Sequence, residues 1–183
     1  MRRYEGKFLY CNVYGWLAWN GRYWQRDGAE ARLNEAVIET LKARRLMAVE
    51  HEKEAVVSAS RGTAKHVRDC VYLMRGLCDE RVAVFDADPD KVNVANGVLC
   101  LRTGNLCKHD CAQRFTYCLG VPYDPQANWD KWNEFVCNAV QGGGDVAAWL
   151  QLYFGYCLTG RTRYEVLLYL YGKSRAGKGT LME

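Results

Sequence analysis

The feature that most constrains this chain is its closing stretch, Val166 to Glu183, which reads VLLYLYGKSRAGKGTLME. Six apolar or aromatic residues, Val166 to Tyr171, run unbroken up to Gly172. So short a run, closed by glycine, predicts a strand buried on both faces of a parallel sheet. After Gly172 come four residues and then Gly177-Lys178, the spacing of a phosphate-binding loop. Backbone N–H groups of such a loop turn inward around phosphate oxygens. Its glycines admit the close approach, and its lysine reaches the terminal phosphates. A helix following the loop would aim its first amides at the same anion. Lys173 and Arg175 add charge of the right sign.

The predicted nucleotide-binding residues are therefore Gly172, Lys173, Ser174, Arg175, Ala176, Gly177, Lys178, Gly179 and Thr180. The usual pattern places Ser or Thr directly after the lysine, to hold magnesium. Here Gly179 stands there and Thr180 follows, so Thr180 is the candidate magnesium contact. A glycine-rich turn after a core strand is the competing structural explanation. Phosphate transfer in this class also needs a second acidic strand end, a water-positioning residue and usually an arginine. Only three residues follow Thr180, which predicts a fragment or truncated relative, catalytically incomplete by itself.

Charge is placed unevenly along the chain. From position 161 on, Arg161, Arg163, Lys173, Arg175 and Lys178 face only Glu165 and Glu183, which favours an anionic partner. The nine cysteines contain no CxxC pair and read as reduced thiols of a cytosolic protein. The opening MRRYEGKFLYCNVYGWLAW is interrupted by Asn12 and Gly15 and is not followed by a small-residue cleavage site. It is therefore not read as a signal peptide. No stretch is long enough to span a membrane.

Residues 4 to 26 interleave aromatics (Tyr4, Phe8, Tyr10, Tyr14, Trp16, Trp19, Tyr23, Trp24) with Arg2, Arg3, Arg22 and Arg26 nearby. Base stacking beside phosphate contacts is one reading; a small sheet whose aromatics form its core is the favoured one. Asn20-Gly21 predicts a hairpin turn. Asp27 with Glu30 resembles a capping box, opening a helix that runs into the fifties with Leu33, Val37 and Leu41 inward. A second helix is expected near Thr63, with Val67, Val71, Met74 and Leu77 inward. No role is assigned to His51 or His66.

VAVFDADPDKVNVANGVLCLRTGNL carries alternating Asp86, Asp88 and Asp90. A calcium loop fails at Lys91 and Gly97. A strand from Val82 to Phe85 ending in Asp-x-Asp would suit a two-metal site, but no partner carboxylate is evident. The favoured reading is a turn fixed by Pro89, with the aspartates bonding local amides. Asn96-Gly97 predicts a two-residue hairpin, and Gly104-Asn105 a further turn. Cys100, Cys107, Cys111 and Cys118 with His109 are spaced unlike common zinc ribbons. Further on, Asn128 can cap a helix bearing Trp132, Phe135, Val136 and Ala139. Asp145 can cap the next, bearing Val146, Trp149, Leu150, Tyr153 and Phe154. Gly142-Gly143-Gly144 between them marks a domain boundary.

WLAWNGRYW, FDADPDKVNVANGVLCLRTGNL, YDPQANWDKW, LQLYFGYCLTG and the terminal loop, in this order, resemble the primase-helicases of phages, plasmids and poxviruses. The likeness is to the domain just N-terminal to their superfamily 3 helicase, running into the helicase itself. It implies an α+β N-terminal domain, residues 1–141, followed over 142–183 by the first strand and P-loop of a truncated α/β (AAA+-like) nucleotide-binding core. It further implies ATP and magnesium as cofactors, and an ATP-dependent replicative DNA helicase that assembles as a hexameric ring on single-stranded DNA. The location implied is the cytoplasm of a bacterial host or its equivalent. Relatives often carry asparagine where this chain has Ala176. The polymerising domain that often precedes this region is not seen before Met1, so the resemblance argues against primase activity and for structural roles of Asp86 and Asp88. The alternative is a non-catalytic single-strand-binding or assembly module of a replication complex. A nucleotide kinase also uses Gly-Lys-Gly-Thr, but near the start of its chain.

Overall fold

A computed structural model describes residues 6–51, 53–140, 143–175 and 177–182. The architecture is mixed α/β. Three strands, β1 (Phe8–Cys11), β2 (Gly15–Trp19) and β3 (Trp24–Gln25), form an antiparallel sheet in sequence order. Period-two alternation sorts its side chains onto two faces. Trp16 and Ala18 look one way, onto Leu33, Val37 and Leu41 of α1 (Ala29–Glu50) and Val67 and Val71 of α3 (Ala64–Leu77). Leu9, Cys11, Leu17 and Trp24 look the other way, onto Phe85. The aromatics of the described part of this region are thus largely core, as expected. Tyr4, Arg2 and Arg3 lie outside the described residues.

Asn20 makes the expected turn by accepting the N–H groups of Arg22 and Tyr23 at 2.9 and 3.0 Å. The capping box is a correction. The helix starts after Gly28, whose φ of 70° is left-handed, and no side chain caps it. Glycine occupies that conformation without a Cβ clash, so Asp27 is not needed there. The helix also ends at Glu50 rather than running on, and a short α2 (Glu54–Ala59) follows. Thr63 does cap α3, accepting the His66 N–H. Met74 packs on the core, whereas Leu77 is exposed.

After α3 the chain returns beside β1: Tyr10 donates to the Cys78 carbonyl and Glu80 to that of Tyr10, both at 2.8 Å. Val82–Val84 is a single 3-10 turn, which corrects the strand considered there; it drives Phe85 under the first sheet. A second antiparallel sheet follows, β4 (Lys91–Val94), β5 (Gly97–Cys100) and β6 (Leu106–Cys107). Its first hairpin turns at Ala95-Asn96, with Val94 opposite Gly97. A Cβ on Gly97 would run into the Cys107 carbonyl, so strand packing itself demands glycine there.

Two helices, α4 (Asp130–Ala139) and α5 (Gly144–Cys157), come next, joined by Trp132 against Phe154 with ring centroids 6.2 Å apart. Neither is capped as expected. Trp129 and Gly143 hold the cap positions without side-chain bonds, Asn128 acts one residue earlier by accepting the Asp130 N–H, and Asp145 lies inside the first turn. Gln141 and Gly142 lie outside the described residues. No helix among the described residues is long and apolar enough to cross a membrane.

Candidate functional site

The stretch Val166–Tyr171 is not a strand in the structure. This corrects the expectation of a strand buried on both faces. Leu167, Tyr169 and Tyr171 are 90%, 80% and 89% exposed. The physical reason is the want of neighbours. A central strand takes its ladder bonds from strands on both sides, and both sheets of the described residues are closed antiparallel sets built from other segments. Among the described residues no strand stands beside the loop to form a nucleotide-binding core.

The loop itself has a definite shape. Ser174 and Arg175 form a turn in which Arg175 takes a left-handed φ of 61°. Gly177 has φ 79°, and a Cβ there would stand 3.2 Å from the Phe135 ring of α4, so both backbone and packing exclude larger residues. Lys178 opens α6 (Lys178–Met182), and its Nζ donates to the carbonyls of Gly172 (3.0 Å) and Lys173 (2.7 Å). The carbonyls of Gly172 and Lys173 are therefore turned onto the Lys178 ammonium group. The N–H groups of Lys173, Ser174 and Arg175 bond to nothing among the described residues. Gly179 and Thr180 are exposed on α6; Ala176 lies outside the described residues.

The aspartate turn is heavily cross-linked. Asp86, with a left-handed φ of 49°, accepts both the N–H and the hydroxyl of Thr116. Asp88 accepts the Asp90 N–H at 3.1 Å and pairs with Lys91 at 3.0 Å. Asp90 takes Arg102 at 2.6 Å and a fork from Arg161 at 2.7 to 3.1 Å. Hydrogen bonds from Arg161, then Arg102, hold its carboxyl below the usual carboxylate range. Lys91, with the Asp90 N–H, does the same for Asp88. Beside this fork Gly160 donates to the Pro89 carbonyl at 3.1 Å, and a Cβ on Gly160 would sit 3.3 Å from Pro89 Cα. The carboxylates are thus engaged with their own chain, which is the turn reading with a second duty added: anchoring the segment after α5.

A family model described as "D5 N terminal like" matches residues 1–141. The chain belongs to that family. The D5 N-terminal-like family is associated with the N-terminal regions of helicase-primases from phages and mobile elements. No curated protein matches the chain.

Within the D5 N-terminal-like region, the structure also assigns residues that sequence reasoning passed over. Asn93 is fully buried in β4. Its amide donates to the carbonyls of Arg22 (2.9 Å) and Tyr117 (2.7 Å), and its oxygen meets His109 Nδ1 at 3.0 Å. It ties the tip of the first sheet to the second sheet and to the segment beside it. The signal was an amide standing in the apolar strand KVNV. His109 is thereby a partner of Asn93, while Cys111 lies against the Trp24 cluster. No group of three or more metal-ligating side chains occurs among the described residues. The Cys100 thiol is held below its ordinary value by the Thr103 hydroxyl and by the Thr103 and Arg102 amides. Arg161, Arg102 and Gly160 were likewise unforeseen as partners of the turn, because only the folded chain brings them to Asp90.

Proposed function

We propose that this chain is part of an ATP-dependent replicative DNA helicase of the primase-helicase type, of phage or mobile-element origin, and that residues 172–180 hold the phosphates of ATP. The observation that carries this reading is the loop itself. Its amides at 173–175 are unspent among the described residues, and its lysine is parked on two exposed carbonyls. An anion entering the loop meets N–H donors that need no other partner broken. Lys178 exchanges carbonyl oxygens for phosphate oxygens, which are stronger acceptors because they are charged. The Thr180 hydroxyl, exposed two residues on, is the group available to a magnesium ion; magnesium would supply charge neutralisation between the phosphates. Family membership supports the rest: single-stranded DNA as the track, and a hexameric ring of copies as the working assembly.

The test is titration of the chain with a fluorescent ATP analogue, with and without magnesium. Lys178→Ala should weaken binding at least tenfold, about 1.4 kcal/mol. Thr180→Ala should cost less, and only when magnesium is present. An affinity unchanged by Lys178→Ala would remove the loop from the reading. The second reading, a non-catalytic DNA-binding or assembly module, draws on the exposed Val166–Tyr171 segment and on the absence of a parallel sheet among the described residues. Salt-sensitive single-strand binding with no nucleotide effect would favour it.

A further inference from the structure

Two groups of cations among the described residues differ in their pairing. Those around the second sheet are paired: Lys91, Arg102, Arg114 and Arg161 each meet a carboxylate within 3.0 Å. Those of the helical layer are not. Arg44, Arg45, Arg61, Lys65 and Arg68 are exposed and pair with no carboxylate among the described residues. Between Leu41 and Leu77, eight Lys and Arg stand against four Asp and Glu.

One stripe of α1 runs through this layer. Glu30, Asn34, Leu41 and Arg45 follow at spacings of four, seven and four, which puts them on one helical stripe. Two cavities open beside it. One, of about 510 Å³, is lined by Glu30, Asn34, Arg68, Asp69, Tyr72 and Arg75 among others. The other, of about 230 Å³, is lined by Arg45, Glu54, Val57, Ser58 and Arg61. Asn34 and Arg45 are eleven residues apart, so the cavities are separated by about 16 Å along the helix.

The two differ in chemistry. The smaller has two guanidinium groups against one carboxylate and is net positive. The larger balances its charges, and its distinctive group is Tyr72, a ring 68% exposed. The Arg75 guanidinium lies between that ring and Tyr10, 5.6 and 5.2 Å from their centroids, and its buried Nε–H has no acceptor among the described residues. An exposed ring held from behind by a cation, with Asn34, Glu30 and Asp69 offering hydrogen bonds at its side, suits a nucleobase. A pair of unpaired guanidinium groups three turns away suits a phosphate.

We propose that the face made by α1 and the α2–α3 pair, with its two cavities, is a track for single-stranded DNA, gripping backbone phosphate at Arg45 and Arg61 and stacking a base on Tyr72. This rests on the reading above only in its choice of single-stranded DNA as partner; it does not involve the 172–180 loop. Stacking tolerates any base, so the track has little sequence preference.

The experiment is fluorescence anisotropy of a labelled oligothymidylate with the full chain at several salt concentrations, thermal melting serving as a fold check. Joint Arg45→Glu and Arg61→Glu should weaken binding at least tenfold and flatten the log K against log salt slope by about 1.4, the share of two single-strand phosphate contacts. Tyr72→Ala should weaken binding about fivefold or more without altering that slope. Glu54→Gln should tighten it. Lys178→Ala should leave DNA affinity untouched while weakening ATP-analogue binding at least tenfold, so either reading can fail alone. Wild-type affinity in the folded double reversal, or no binding of the strand by the unaltered chain, overturns the track. Capture of an acidic peptide in place of DNA at the same residues overturns it equally.

Discussion

Two segments of this chain that both invite a phosphate-chemistry reading behave oppositely once folded. Around Asp86 to Asn93, hydrogen-bonding groups are met by partners from distant parts of the sequence: Arg22, Arg102, Thr116, Tyr117 and Arg161. From Val166 to Met182, bulky apolar side chains stand in solvent, and loop amides are unspent. A cluster of carboxylates that has consumed its own valences has little left for a metal. A loop whose donors are idle has capacity for a ligand. The aspartates thus belong to scaffold, and the idle donors sit on a segment with no strand beside it among the described residues.

The comparison breaks most severely at Asn93. Asn93→Leu keeps the volume but takes their buried partner from the Arg22 and Tyr117 carbonyls and from the His109 ring nitrogen. The expected loss is about 3 kcal/mol in urea unfolding. If the variant is as stable as the parent, the two sheets are held together by packing alone, and the polar scaffold described above is decorative.

How much of this was legible beforehand depended on the range of the interactions involved. The first sheet, the Leu33–Val37–Leu41 stripe and the Thr63 cap follow from rules that act within a few residues; the second hairpin was expected too, but with its two-residue turn at Asn96-Gly97, one residue later than the Ala95-Asn96 turn observed. The helix starts at Asp27 and Asp145 failed because glycines at 28 and 143 took the cap positions. Asn93 and Arg161 were invisible as partners: nothing within ten residues of either announces a bond to the other end of the fold. The run Val166–Tyr171 failed for a different reason. Its pattern reports that something apolar should cover it, but strand formation is a property of a set of strands, and the described residues supply no others beside it.

A subtler way to sharpen the contrast is through pH at the Asp90 fork. Its carboxyl is held below the ordinary range by Arg161 and Arg102, so the folded form is favoured by ionisation. That contribution is in full force above the unfolded value, about 3.9, and is lost as pH falls through the lower folded value. Hydrogen exchange at the Gly160 amide, which donates to Pro89, should therefore stay protected from neutral pH down to about 5, with protection disappearing only in stronger acid. Asp90→Asn should remove the protection at every pH while leaving the Tyr10 and Glu80 amides beside β1 protected. Equal loss at both places would mean that the fork supports the whole domain rather than the segment after α5.

The smallest expected effect is at the other pole. Leu167 and Tyr169 are 90% and 80% exposed, so truncating them removes almost no buried area. Joint Leu167→Ser and Tyr169→Ser should change unfolding stability by no more than about 0.5 kcal/mol. What should change is association. Contiguous apolar side chains in solvent promote self-contact, and the double variant should scatter less light at high concentration than the parent. A stability loss of about 2 kcal/mol or more would instead mean that the segment is packed in solution as a strand after all. Its loop would then be backed by a sheet, and the phosphate cradle proposed for it would have the rigid support that the described residues do not give it.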